Sequence, residues 1–221
     1  MSATSSLLQT NPGLQPRHEL IGGRIPALLV DNFLVDPDGV RDWALSLDFQ
    51  VPPYAYPGRI APIPECEPSL PRLKDAALSM LQNHYLPHIP PIQKDGQPLT
   101  TLRNVLPDFA IVDVHPDELS NPQRIPHVDP VPIFGLVYLN REERGGTMFF
   151  AQKAPLSGTG AGYLVESNDE FELIGSLKGQ FNRLVIYPGF VPHTGEVSGD
   201  WIRGEERFTA PRLTLRLPFF P

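Results

Sequence analysis

His127-Val128-Asp129 and the downstream His193 are the residues of this chain best suited to chemistry. Residues i and i+2 of an extended segment project from one face, with Cα atoms about 6–7 Å apart. Two such side chains can close on one ion at bond lengths of about 2.0–2.2 Å. Pro126 and Pro130 flank the triplet and favour extended backbone. His193 follows the apolar run Leu184-Val185-Ile186-Tyr187 and the turn Pro188-Gly189-Phe190-Val191-Pro192. It is therefore expected at a strand end or loop, where a third ligand arrives from across a barrel. Two imidazoles and one carboxylate form a facial triad for Fe(II), which leaves about three positions for an oxidant and a substrate. The remaining histidines, His18, His84, His88 and His115, fall in the N-terminal arm, a helix end and a polar loop, and are not expected to be ligands.

A second constellation lies in Arg212-Leu213-Thr214-Leu215-Arg216-Leu217. Period-2 alternation puts the leucines on one face and Arg212, Thr214 and Arg216 on the other. If the leucines face the core, the polar face carries guanidinium and hydroxyl groups inward, where an anion would be their natural partner. An arginine fork with a hydroxyl two residues on suits one carboxylate of a dicarboxylic acid. The same pattern also fits a solvated sheet edge. Tyr138, closing the apolar run from Ile133, is a candidate second donor.

These residues need a scaffold, and the rest of the sequence suggests one. Residues 1–22 read as a flexible arm ending at Gly22-Gly23, and 23–221 as a single domain. Ile25 to Val30 reads as a strand. Asp36 is a helix cap with Pro37 in the first position and Asp38 in the first turn; Val40, Trp43, Ala44 and Leu47 recur at helical spacing. A proline-rich loop, 51–68, carries Tyr54, Tyr56 and Arg59. A second helix spans about 71–86, capped by Ser69, with Leu73, Ala77, Met80, Leu81 and His84 on its inner side. Residues 23–99 thus read as helical support and loops. From residue 100 the texture changes to strands: 109–114, 133–139, 147–150, 163–165, 171–174, 184–187 and 213–220. Two helices followed by short strands with Gly/Pro turns indicate a mainly β sandwich or barrel with helices packed on one sheet.

With these motifs in order, the chain resembles the Fe(II)/2-oxoglutarate-dependent oxygenase superfamily, and its prolyl-hydroxylase-like branch most. The likeness rests on His127-Val128-Asp129, Tyr138-Leu139-Asn140, Gly145-Gly146-Thr147, His193 and Arg212-Leu213-Thr214, and covers roughly residues 105–220. It implies a double-stranded β-helix (jelly-roll, cupin-like) core over 100–221. It further implies Fe(II) held by His127, Asp129 and His193, and 2-oxoglutarate anchored by Arg212 with Thr214 and Tyr138. O2 would be consumed, succinate and CO2 released, and a substrate hydroxylated. The sequence departs from the branch in one respect: Arg203 holds the place about ten positions after His193 where the branch carries its basic residue. Arg207 and Arg216 are further candidates for the anchor.

The bulk composition narrows the substrate less than the class. A formal charge of −7 argues against a nucleic-acid groove, which needs a basic stripe, and against anionic membrane surfaces. One cysteine, Cys66, excludes an internal disulfide and disfavours a multi-cysteine zinc site. The N-terminus lacks a signal-peptide pattern, so the expectation is a cytoplasmic protein. The substrate is expected to be amino-acid-like, peptidyl or a small metabolite, with Tyr54, Tyr56 and Arg59, and the turn Arg141-Glu142-Glu143-Arg144, near the mouth. Two alternatives stay open: a cupin-like metalloprotein without 2-oxoglutarate, and a non-enzymatic β-sandwich module in which His127 and His193 lie far apart.

Overall fold

The computed structural model describes residues 7–94, 97–98, 101–156, 162–197 and 212–221. In chain order the strands are β1 (Pro16–Ile21), β2 (Ile25–Val30), β3 (Arg59–Pro62), β4 (Gln93–Lys94), β5 (Gln97–Pro98), β6 (Asn104–Val105) and β7 (Asp108–Val112). They continue as β8 (Ile133–Tyr138), β9 (Thr147–Gln152), β10 (Phe171–Leu177), β11 (Leu184–Pro188), β12 (His193–Gly195) and β13 (Arg212–Phe220). The helices are α1 (Pro37–Leu45), α2 (Leu70–Ser79) and α3 (Asn121–Arg124).

The chain is mainly β, and its strand pairs are antiparallel. The large sheet has the order β1-β2-β11-β8-β13-β7-β3, with β6 beside β13; the smaller sheet is β10-β9-β12, and β4 pairs with β5. Alternation along the strands makes the layers. Leu213, Leu215, Leu217 and Phe219 of β13 join Val137, Leu184 and Ile186 in a core that also holds Val40 and Ala44 of α1 and Leu73 and Ala77 of α2. The opposite face sends Leu136, Tyr138, Val185 and Tyr187 toward Phe149 of the smaller sheet. The helices therefore cover one face of the large sheet, and the smaller sheet lies on the other. Among the described residues no helix is long and apolar enough to cross a membrane.

The first helix forms as its sequence dictates. The Asp36 carboxylate accepts from the Gly39 amide at 2.9 Å, and Pro37 opens the helix. Other expectations are corrected. The stretch read as a flexible arm contributes structure from residue 7: Leu8 is fully buried, and β1 pairs with β2 over its whole length. Gly22 and Gly23, with φ of +54° and +70°, are the two central residues of the hairpin turn between them, a place where positive φ suits glycine. Ser69 is not a side-chain cap; its hydroxyl accepts from the Leu8 amide and donates to Glu67. The second helix ends α-helically at Ser79 and continues as a π-turn, Met80–Tyr85. The wider π register brings Tyr85, not His84, into the core, where its hydroxyl donates to the Pro26 carbonyl at 3.0 Å. Residues 163–165 form no strand; Leu164 packs instead with Met148, Phe150 and Phe171. The strand expected at Ile25 to Val30 forms as β2, and with β3 it belongs to the same sheet as β7, β8 and β13.

Candidate metal centre

The segment carrying His127 lies antiparallel to β12, beside the smaller sheet. His127 and His193 form an isolated bridge, each donating its amide to the other's carbonyl at 2.9 and 2.8 Å. The Asp129 amide donates to the Gly189 carbonyl at 2.8 Å, so residues 127–129 are pinned to the turn before His193 as well as to His193 itself. Gly189 permits this approach, because a Cβ there would collide with the Val131 carbonyl and press on Asp129. The third ligand thus arrives from the adjacent strand. The expected approach from across a barrel is corrected: a directly opposed pair of residues puts the two imidazoles 4.6 Å apart, ring centre to ring centre.

The donor atoms of His127, Asp129 and His193 lie within 4.8 Å of one another. The His193 Nε2 to Asp129 Oδ2 separation is 3.2 Å; two donors at right angles on one ion with bonds of about 2.1 Å are about 3.0 Å apart. His193 is buried against Tyr187 and Phe149, with ring centres 5.2 and 6.1 Å away. Its Nδ1 lies 2.8 Å from the Val191 carbonyl, which can only accept, so Nδ1 donates there and Nε2 is the nitrogen that faces Asp129. Fixing a ligand tautomer in this way is characteristic of metal-binding histidines. Asp129 Oδ2 is buried without a hydrogen-bond partner among the described residues. It faces His193 Nε2 at 3.2 Å, close to the spacing of two ligands on one cation. Burial, and then the charge of His193, push the His127 imidazole down to about 4, which leaves it neutral and free to ligate at pH 7. No other group of three or more His, Cys, Asp or Glu side chains among the described residues converges like this. His18 and His88 stack on each other at 4.2 Å, away from the triad, and His115 Nδ1 accepts from the Asp117 amide.

The triad opens on a cavity of about 600 Å³, and Arg212, Thr214 and Arg216 line it from β13. The alternation read from the sequence is realised, with the polar face turned into the cavity. The two arginines differ in partners. Arg216 is held fork to fork by Asp108, at 2.6 and 2.5 Å. Arg212 is 95 % buried and has no carboxylate partner among the described residues; its Nε and one terminal nitrogen donate to the Gly145 and Gly146 carbonyls at 2.7 and 3.1 Å. Gly195 makes room for it, since a Cβ there would lie 3.0 Å from the guanidinium carbon. Thr214 is fully buried, and its hydroxyl has no hydrogen-bond partner among the described residues. Arg203 and Arg207 lie outside the described residues.

Tyr138 does not line the cavity. It is fully buried, and its hydroxyl shares a 2.8 Å hydrogen bond with Thr147, which does line it. Its expected role as a direct donor is corrected to support of Thr147. The loop 54–57 forms part of the wall, as expected, but Arg59 is tied to Asp113. The turn 141–144 lies elsewhere: Arg141 pairs with Asp38 at 2.7 Å and Arg144 with Glu142 at 3.5 Å. Sequence reasoning missed Asp108 and Tyr163. Asp108 is the residue opposite Arg216 on β7, a cross-strand partnership that no local pattern encodes. Tyr163, whose hydroxyl donates to the Gly195 carbonyl at 2.7 Å, comes from a segment without strand or helix.

A family model described as a family of unknown function, DUF6445, matches residues 12–159 and 152–219, and the chain belongs to that family. The matched residues include the triad and both Arg212 and Thr214. No curated protein matches the chain.

Proposed function

We propose that this member of a family of unknown function is a non-haem Fe(II)- and 2-oxoglutarate-dependent dioxygenase of the hydroxylase type, with its two sheets arranged as a double-stranded β-helix. One observation carries the reading: three donors suited to a divalent metal share a cavity with a buried guanidinium that has no carboxylate partner among the described residues. Bound together, Fe(II), 2-oxoglutarate and O2 supply the oxidising equivalents, with succinate and CO2 as by-products. His127, Asp129 and His193 would hold the metal, and the Val191 carbonyl keeps His193 Nε2 directed at it. Arg212 retains N–H donors beyond those given to Gly145 and Gly146, and with the Thr214 hydroxyl offers a carboxylate both charge and hydrogen bonds. Much of the wall is apolar, and a less polar surrounding strengthens these contacts. The protein's own task is to bind and orient.

A metalloprotein without 2-oxoglutarate would use the same triad but would leave Arg212 and Thr214 without an anion. The non-enzymatic module required the two histidines to be far apart, and their rings are 4.6 Å apart. The test is succinate release from 2-oxoglutarate by the Fe(II)-loaded chain across amino acids, peptides and small metabolites, with Asp129→Ala as control. Wild-type turnover lost in Asp129→Ala supports the proposal. Metal uptake with no weak visible absorption on anaerobic addition of 2-oxoglutarate to the Fe(II)-loaded chain, showing that 2-oxoglutarate does not bind, refutes it.

A further inference from the structure

Three polar groups lie deep in the cavity. His193, Arg212 and Thr214 are all buried there, whereas the opening is ringed by exposed apolar side chains: Tyr54, Leu106 and Val128, with 55, 58 and 54 % of their surface in solvent. Scattered exposed hydrophobics need no explanation, but these converge on one opening beside a candidate reaction centre. Val128 is there because alternation turns it away from the face shared by His127 and Asp129. Phe134, Pro218 and Phe220 continue the apolar surface inward.

The charges on the wall are already satisfied. Asp108 and Arg216 close on each other through both oxygens and two nitrogens, and the Tyr56 ring lies 5.4 Å from the Arg216 guanidinium carbon. Arg59 is committed to Asp113. With Arg212 taken up by 2-oxoglutarate, a charged substrate group placed along this wall would lose water and find no free counter-charge among the described residues, at a cost that grows with burial. Space is ample: 600 Å³ equals about 20 water-sized groups at roughly 30 Å³ each. 2-Oxoglutarate, with about ten non-hydrogen atoms, would take about half of those places.

We infer that the substrate is a small, uncharged, apolar molecule, bound between Tyr54, Leu106 and Val128 at the mouth and Phe134, Pro218 and Phe220 along the wall. This inference rests on the function proposed above and refines its substrate class. Of the amino-acid-like, peptidyl and small-metabolite substrates expected from the sequence, the pairing of Arg59 with Asp113 removes the arginine contact that would have favoured the first two.

The test uses the full chain loaded anaerobically with Fe(II) and 2-oxoglutarate, titrated calorimetrically with two matched probes, 4-phenylbutanol and 4-phenylbutylammonium. The neutral probe is expected to bind at least about tenfold more tightly, since burying the ammonium ion costs more than burying the hydroxyl. Leu106→Glu, at an exposed position where the core is undisturbed, is expected to weaken the neutral probe about five- to tenfold. Equal or tighter binding of the ammonium probe, or an unchanged affinity in Leu106→Glu, overturns the inference and leaves metal and 2-oxoglutarate binding untouched. A chain that takes up neither Fe(II) nor 2-oxoglutarate yet binds 4-phenylbutanol overturns the proposed function and keeps the apolar ligand site.

Discussion

Replacing Asp129 by asparagine should make the metal-free protein more stable, an unusual direction for a buried substitution. His193 Nδ1 is committed to the Val191 carbonyl, so a neutral His193 presents an Nε2 lone pair to Asp129 Oδ2 at 3.2 Å, and that oxygen has no hydrogen-bond partner among the described residues. An unsatisfied buried acceptor costs about 1–3 kcal/mol. Asparagine has the same shape, and its amide can donate to Nε2, which turns an opposed pair into a hydrogen bond. For a chain of 221 residues, each kcal/mol moves Tm by about 2–4 °C, so metal-free Asp129→Asn should melt about 2–12 °C above wild type. Divalent metal should reverse the order. At 100 times its Kd a metal adds about 2.7 kcal/mol to the wild type, and much less to the variant, which has lost the anionic ligand. Thermal unfolding followed by circular dichroism at pH 7.5, in EDTA and then in excess Mn(II), gives both comparisons. A variant that melts below wild type in EDTA refutes the reasoning. It would mean that Asp129 pairs with a protonated His193 as a structural ion pair, with no need for a metal.

Two further outcomes follow from the same geometry. Arg212→Lys keeps the charge but loses the planar fork, and should weaken 2-oxoglutarate binding by about 30- to 150-fold, the equivalent of about 2–3 kcal/mol, with Fe(II) uptake unchanged; equal loss of both ligands would assign Arg212 a purely structural role. His127, lowered to about 4 by burial and by His193, binds its proton more weakly folded than unfolded. Its contribution to stability is therefore present above about pH 6.5 and is lost as pH falls from 6.5 toward 4, by up to about 3 kcal/mol. Urea unfolding of the metal-free chain at pH 7 and pH 5 should show this loss in wild type and much less of it in His127→Asn.

The sequence by itself determined the local parts. Asp36 with Pro37 fixed where α1 begins, and the alternation of Arg212-Leu213-Thr214-Leu215 fixed which side chains share a face of β13, because capping and strand periodicity are properties of neighbouring residues. The pairing of His127 and Asp129 on one face was legible for the same reason. The π-turn at Met80–Tyr85 was not, since helical periodicity assumes an unbroken α register, and so His84 was expected where Tyr85 lies. The order of residues 7–21 was hidden as well, because β1 gains its place by pairing with β2 and Leu8 by packing under Ser69.

Only the tertiary structure decided between chemically equal candidates. Arg212 and Arg216 have the same type, strand and face, yet Asp108 reaches across from β7 and neutralises one of them. His193 joined His127 through a bridge between segments far apart in sequence, and Tyr138 was displaced from the cavity by Thr147. Each of these is a long-range pairing: its partner is set by which strands lie side by side, and no run of adjacent residues carries that information.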